Sequence, residues 1–451
     1  MFTQRTMSRR TFLLWSAAGG ATLALTACVA ASPSAATQGE GGAAPDGAPT
    51  TISYWHIWGG VRTEQLQQVL DGFTAANPEI VVEPLLLPNP GYADKIITGL
   101  AGDAPDLTMI YTDEFAPSAQ RGALADLGDY LAADGLEADS WYPGIWNMTQ
   151  MGGKTFGVPF VGNFLSMLYW NKDDFQAGGL DPESGPTTWD EQINIAQTLT
   201  TVDADGNVEN LGYVPNGWGE WMQATYRNGH DWLGDGTPEQ IAVDNPLALA
   251  ALQYVIDLYA AMGGWDAVGA ATEAWGNQQL GNPMIAGVAS SIFSGVFTVN
   301  IINEQAPDLN YKIGKVPHGP NGDFLDVIQA SWNNALPTRG KNPDAAWQLA
   351  KYLSYGEGHL KFMVELQGRP AMVKAYNEAP YDAQAREKNP YWDEVLEILN
   401  GNQVSVPVTA GLGSVNNVLR EAFESVMLGQ RTAEEALPWA QAEVVKVLED
   451  L

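Results

Sequence analysis

Two tryptophans stand three residues apart in Gly217-Trp218-Gly219-Glu220-Trp221. The glycines expose backbone, and the segment lies off any clear helical stripe. Trp218 and Trp221 therefore read as a stacking loop, or as a surface loop tucked against the protein. Trp55, His56 and Trp58 follow one another closely after a β-rich run; Trp55 either faces the core or joins a site, and Trp58 lies further out. Trp275 sits among Gly and Asn, and Trp332 precedes Asn333-Asn334. Arg369, before Pro370, either pairs a hydroxyl or carboxylate or acts as a structural clamp. Ring faces suit flat C–H surfaces. Planar carboxylate, amide and guanidinium groups pair hydroxyls two at a time. These residue types suit a flat small molecule rimmed with hydroxyls.

Reactive chemistry is poorly represented. Gly153-Lys154-Thr155 resembles a phosphate loop, but Met148 occupies the required upstream glycine position. Asp203-Ala204-Asp205-Gly206-Asn207-Val208-Glu209 resembles a calcium loop with its glycine misplaced, so a solvated turn is expected. The 4 histidines, His56, His230, His318 and His359, do not pair at metal-ligand spacing. There is no G-x-S-x-G elbow. Neither metal nor cofactor is expected. A glycosidase remains the enzyme alternative, since it too needs Trp platforms and two carboxylates.

The chain opens with Ser8-Arg9-Arg10-Thr11-Phe12-Leu13, a twin-arginine pattern, and an apolar run from Phe12 to Ala27. That run is shorter than the roughly 20 apolar residues of a membrane span and reads as a signal-peptide core. Leu25-Thr26-Ala27-Cys28 resembles a lipobox, and Cys28 is the only cysteine. Cleavage there predicts a signal peptide over 1–27 and a lipid on Cys28. Val29 to Thr50 is Ala, Ser, Gly and Pro with almost nothing bulky, a flexible tether over 28–50.

Removing residues 1–27 leaves 19 Lys+Arg against 53 Asp+Glu, a formal charge of −34. Nucleic acid needs basic patches to meet phosphate, so this balance argues against it. The charge favours neutral or cationic ligands, polyamines among them. With Cys28 lipidated no disulfide can form, and the core alone must hold the fold. Its size suits two domains.

Thr51–Trp55 reads as a strand. Leu66, Val69, Leu70 and Phe73 recur at helical spacing until Asn77-Pro78, and Ile80-Val81-Val82 is the next strand. This βαβ unit implies a parallel sheet. Tyr92–Leu100 reads as a helix and Asp106–Tyr111 as a strand. Later helices open at Thr188-Trp189-Asp190-Glu191 and Thr432-Ala433-Glu434-Glu435, both capping boxes, and at Asn342-Pro343. Leu247–Met262 is a long apolar helix ended by Gly263-Gly264.

Several pieces then fall in a familiar order: Ile52-Ser53-Tyr54-Trp55-His56, Lys95-Ile96-Ile97-Thr98-Gly99-Leu100-Ala101, Ala104-Pro105-Asp106, Gly153-Lys154-Thr155-Phe156-Gly157-Val158-Pro159, Leu168-Tyr169-Trp170-Asn171-Lys172, Pro343-Asp344-Ala345-Ala346-Trp347 and Gly368-Arg369-Pro370-Ala371. No single piece is specific. Together, from about Thr51 to the C-terminus, they resemble the sugar-binding class of extracellular solute-binding proteins, the maltose-binding protein family.

The resemblance implies an α/β, two-lobed periplasmic-binding-protein fold, with mixed or parallel sheets flanked by helices and a hinge between the lobes. Lobe 1 would comprise 51–160 plus 327–353, and lobe 2 would comprise 161–326 plus 354–451. It implies no enzyme but a monomeric lipoprotein, exported and anchored to the outer face of the cytoplasmic membrane. Such a protein delivers a carbohydrate to the permease subunits of an ATP-binding-cassette importer; a polyamine or peptide is the other ligand class. Family analogy places the Trp55–Trp58 loop in the cleft and a hydroxyl-pairing acid at Asp113, with Glu114 beside it. Asp113 could also serve as a helix N-cap. The analogy places polar contacts at Asn163 and Phe164, and a stacking aromatic at Phe297, in Ser294-Gly295-Val296-Phe297. The loop Ala410-Gly411-Leu412-Gly413-Ser414 would border the cleft.

Overall fold

The computed structural model describes residues 48–88, 91–163, 167–278, 281–328 and 330–450. The twin-arginine segment, Cys28, the tether up to residue 47 and Phe164 lie outside the described residues, as does the side chain of Asn163.

Strand β1 (Thr50–His56) alternates strictly: Ile52, Tyr54 and His56 are buried, and the residues between them are half-buried or exposed. Period-two patterning of this kind places one face of the strand on a core. β1 pairs in parallel with β2 (Ile80–Leu86) and β3 (Leu107–Tyr111). Helix α1 (Val61–Ala76) joins β1 to β2 and buries Leu66, Val69, Leu70 and Phe73, the four positions whose spacing marked it. Helix α2 (Tyr92–Ala101) joins β2 to β3, and α3 (Thr112–Gln120) follows β3 at once.

The sheet is completed from far along the chain. β4 (Val158–Asn163) is its last strand, and β9 (Ala330–Ala335) lies antiparallel between β3 and β4, giving the order β2-β1-β3-β9-β4. A second, antiparallel sheet is centred on β5 (Met167–Asn171), flanked by β6 (Ser291–Ser294) and β7 (Tyr311–Lys315). β8 (Asp326–Ile328) pairs in parallel with β10 (Gln403–Ser405). Thus β4 runs on to the second sheet, and β8 runs on to the first. The two α/β lobes are joined by these crossings.

Polar groups fix β9 in register. The buried Asn334 accepts from the Tyr54 hydroxyl at 3.2 Å and donates to Ser354 Oγ at 3.0 Å. Asn333 donates to the Met148 carbonyl, and the Ser331 amide donates to Thr112 Oγ1 at 2.8 Å. A slip of one residue would turn every one of these groups to the opposite face, and an unpaired buried polar group costs about 1–3 kcal/mol.

Aromatic side chains join the first sheet to the C-terminal part of the chain. Trp58 meets Phe160 of β4 edge-on, with centroids 6.2 Å apart, and Phe362 at 5.3 Å. Phe362 belongs to a π-helical segment, Leu360–Leu366, that no sequence pattern announced. Next to it the buried His359 ring bonds the Leu353 carbonyl at Nδ1 and accepts the Met372 amide at Nε2. It must therefore be neutral. Among the described residues no single helix is long and apolar enough to cross a membrane.

Burial lowers the pKa of both His56 and His359 to about 4 from 6.5. As pH falls below 6.5 the unfolded chain takes up protons that the folded rings refuse, so stability declines between pH 6.5 and about 4. Thermal unfolding from pH 7 to pH 4 is expected to show this decline, with a shallower slope in His359→Gln. An identical slope in the variant would contradict the assignment of a buried neutral ring.

Candidate ligand-binding site

Strands β1 and β3 are parallel neighbours, so the starts of α1 and α3 lie at one edge of the first sheet. Ligands of open α/β sheets bind beyond that carboxyl edge.

At the end of β3, Tyr111 stands directly opposite Trp332 of β9. The two rings lie 4.8 Å apart, and Trp332 also meets Tyr92 edge-on at 5.1 Å. Tyr92 is anchored: its hydroxyl donates to the Met109 carbonyl and accepts the Tyr111 amide. Tyr111 and Trp332 remain half-buried, so the pair forms a ring platform on a rigid support. The first turn of α3 brings Asp113 and Glu114 to the same edge. Asp113 is exposed, and no side chain caps α3, whose N-cap position is Tyr111. The N-cap alternative for Asp113 is therefore not realised.

Glu114 is the unusual group. One of its oxygens, Oε2, is buried without a hydrogen-bond partner. Burial, with the Asp113 charge added, pushes its pKa up to about 7. A carboxyl held this way near neutrality is an acceptor waiting for a donor. A hydroxyl-rich ligand would supply one.

Phe297 stands just after the second sheet's strand β6, at the start of α5 (Phe297–Gln305), half-buried between two cavities. One, of about 470 Å³, is lined by Asn216, Phe293 and Ser294 among others. The other, of about 200 Å³, faces Gly59, Gly60 and Arg62 across from Asn300, Gln367 and Arg369. Residues on both sides of the lobe crossings therefore wall the smaller space. A larger cavity of about 640 Å³ lies between α1 and Tyr130, Trp347 and Lys351. Its polar groups already pair with each other: Trp347 and Lys351 bond Asp134, and Tyr130 bonds Asp344. Such a set offers a ligand little.

Several expected contacts are instead structural. Trp58 is buried, not outermost: its amide donates to His56 Nδ1 and Thr63 bonds its carbonyl, which turns the indole inward onto Phe160. His56 is spent on that turn. Trp55 packs on Gly99 of α2 so closely that a Cβ there would sit 2.3 Å from the indole. Gly217-Trp218-Gly219-Glu220-Trp221 is not a loop but the start of helix α4 (Trp218–Arg227). Trp221 is fully buried, edge-on to Trp232, and donates to the Ala248 carbonyl. Trp218 is half-buried, with the Arg420 guanidinium 5.6 Å over its ring. Trp275 lies on the helix Trp265–Gln278 and packs partly against the core. Asp203 is occupied by the Asp205 and Asn207 amides, a closed turn. Among the described residues no group of three or more His, Cys, Asp or Glu could hold a metal.

Of the expected residues, Asp113, Glu114 and Trp332 stand together at the edge of the first sheet, and Phe297 and Arg369 share the lining of the 200 Å³ cavity. Tyr111, Asn300 and Gln367 were not foreseen. Tyr111 could have been, since it ends a buried strand two residues before Asp113.

Residues 59–354 match the family described as bacterial extracellular solute-binding protein. The chain belongs to that family. It is a solute-binding protein of an importer of the ATP-binding-cassette type, and such proteins are not enzymes. Residues 6–26 match the twin-arginine translocation signal, so the protein is exported. It is 24% identical over 426 residues to the sn-glycerol-3-phosphate-binding periplasmic protein UgpB of Shigella flexneri, covering 87% of this chain and 91% of that one. The fold is similar to a solute-binding protein of Thermotoga lettingae bound with α-D-tagatose, at 25% identity and a TM-score of 0.72, covering 88% and 99% of the two chains. It is also similar to the cyclic α-maltosyl-1,6-maltose-binding protein of Arthrobacter globiformis, at 21% identity and a TM-score of 0.73, covering 90% and 100%.

A ligand hydroxyl donated to Glu114 would bond the ionised carboxylate better than the protonated acid. Binding then favours ionisation, and affinity rises with pH through about 7. Titration between pH 5.5 and 8.5 is expected to show that rise in the natural protein and a flat profile in Glu114→Gln. A rise that persists in the variant would remove Glu114 from the site.

Proposed function

We propose that the solute is a carbohydrate, a mono- or oligosaccharide held between the Tyr111–Trp332 platform and Phe297. The observation that carries this reading is the ring pair beside a half-buried carboxyl, one of whose oxygens lacks a partner. A pyranose presents both complements: a flat C–H face for the rings and hydroxyl donors for the acid. The T. lettingae protein is bound with α-D-tagatose, the A. globiformis protein is named for a cyclic maltosyl-maltose, and the S. flexneri relative for a phosphate ester of a small polyol. Hydroxylated carbon chains are common to all three.

In this reading lobe 1 holds residues 51–160 and 327–353, and lobe 2 holds 161–326 and 354–451. Ligand bridges the walls and stabilises the closed arrangement, which is what the permease engages. The protein acts as a monomer, tethered by a lipid on Cys28 outside the cytoplasmic membrane. The second reading, a polyamine, draws on the −34 charge of the chain without residues 1–27.

A thermal-shift screen of neutral mono- and oligosaccharides is expected to find at least one that raises the melting temperature. Trp332→Ala is expected to weaken that sugar at least tenfold, about 1.4 kcal/mol. Affinity for a neutral sugar should change little from low to high salt. Polyamine binding that weakens steeply with salt, with no response to any sugar, would overturn the proposal. For the anchor, Cys28→Ser is expected to move the protein from the membrane to the soluble fraction.

A further inference from the structure

The smaller inter-wall cavity has a polarity that neutral sugars do not explain. On one side the chain leaves β1 through Gly59-Gly60 and enters α1, a helix of 16 residues. Gly60 has φ +62°, and no side chain caps the helix. A Cβ at Gly59 or Gly60 would meet nothing within 4 Å, so the backbone stands open to the cavity. The first amides of such a helix carry partial positive charge.

On the other side lies Arg369, which is 5% exposed. Its Nε has no partner, and its one side-chain bond among the described residues is a long 3.5 Å contact from Nη1 to Gln367 Oε1. Gln367, 4% exposed, leaves its Nε2 unpaired. Asn300 holds this turn by donating to the Gln367 carbonyl. No carboxylate among the described residues forms an ion pair with Arg369 or with Arg62, which lines the same space. Glu304 also borders the cavity, but it bridges neither arginine. Burial and the neighbouring Arg62 charge lower the pKa of Arg369 to about 9.

A buried guanidinium without a counter-ion is rare, because removing a charge from water without a partner is strongly unfavourable. Its setting in a chain with 53 acids makes the absence pointed. The long-range negative field does not cancel the site. Screening confines that field to about 8 Å at physiological salt, whereas the arginines and helix amides act at contact.

We propose that this cavity is an oxyanion subsite, where Arg62, Arg369, Gln367 and the start of α1 receive a carboxylate or phosphate monoester. The acid is carried by the solute itself or arrives as a free ion. The inference rests on the ligand lying between the same walls as proposed above, and it narrows the solute class to acidic sugars or phosphorylated polyols if the acid is the solute's own. Because the donors come from both walls, the anion draws the walls together.

The test uses the mature protein and three probes at fixed ionic strength: inorganic phosphate, neutral hexoses, and the corresponding hexose phosphates and uronic acids. The variants are Arg62→Gln, and Arg369→Gln with Arg369→Lys as its charge-retaining control. Expected is an acid-bearing sugar that binds at least tenfold more tightly than its neutral parent. Arg62→Gln is expected to remove most of that advantage while changing neutral-sugar affinity less than twofold. Stabilisation by phosphate alone, lost in Arg62→Gln, supports the subsite with a free ion as occupant. Should Arg369→Gln fail to fold, Arg62→Gln alone decides. Neutral sugars binding as tightly as their acids, with no response to phosphate, would overturn the subsite and leave the carbohydrate reading standing. Phosphate binding through Arg62 without any sugar response would do the reverse.

Discussion

The site depends on one strand pairing. β9 is inserted antiparallel between β3 and β4, and so Trp332 lies opposite Tyr111, a residue more than two hundred positions earlier. Without that pairing there is no ring platform, and the chain has no return path from the second lobe. The pairing is specified by polar chemistry as well as by apolar burial. Ser331, Asn333 and Asn334 are buried, and each is matched to a partner from a different element. Polar groups of this kind contribute modestly when paired, but each mispaired alternative incurs the full desolvation cost. They make one register far better than its neighbours.

That rigidity contrasts with groups left incomplete. Glu114 Oε2, Arg369 Nε and Gln367 Nε2 are buried polar atoms without partners; the last two belong to residues that line the small cavity beside Phe297, and Glu114 stands in the first turn of α3 at the edge of the first sheet. Four such atoms, Gln65 Oε1, Asn300 Oδ1, Gln367 Nε2 and Arg369 Nε, belong to residues lining that one small cavity. A ligand placed there would complete the hydrogen bonding, and the free energy of completion would favour closure. The two indoles that look most available in the sequence, Trp58 and Trp221, do the opposite work. Their rings are committed to packing, Trp58 against Phe160 and Phe362 and Trp221 against Trp232.

Local chemistry was legible and long-range chemistry was not. Both capping boxes form as written, with Thr188 and Thr432 bonding the amides three residues on. The helix start at Pro343 and the alternation of β1 were equally plain. These are contacts within a few residues. Whether an indole faces a cleft or a core depends on what arrives from elsewhere, as Phe160 and Phe362 arrive at Trp58. The Trp218–Trp221 segment misled for a narrower reason. Gly217 and Gly219 read as loop residues, yet the spacing of Trp218, Trp221, Met222 and Thr225 is helical, and Gly217 only supplies the positive φ of the entry turn. Arg369 was visible as a residue, but its lack of a counter-ion is a three-dimensional fact.

A crystal structure with a bound oligosaccharide tests the central claim most directly. The account predicts a sugar ring stacked on Trp332 and Tyr111, with carbons about 4 Å from the rings, and a hydroxyl within about 2.5–3.0 Å of a Glu114 oxygen. Sugar found instead in the cavity beside Tyr130 and Trp347, with the Tyr111–Trp332 platform untouched, would contradict it.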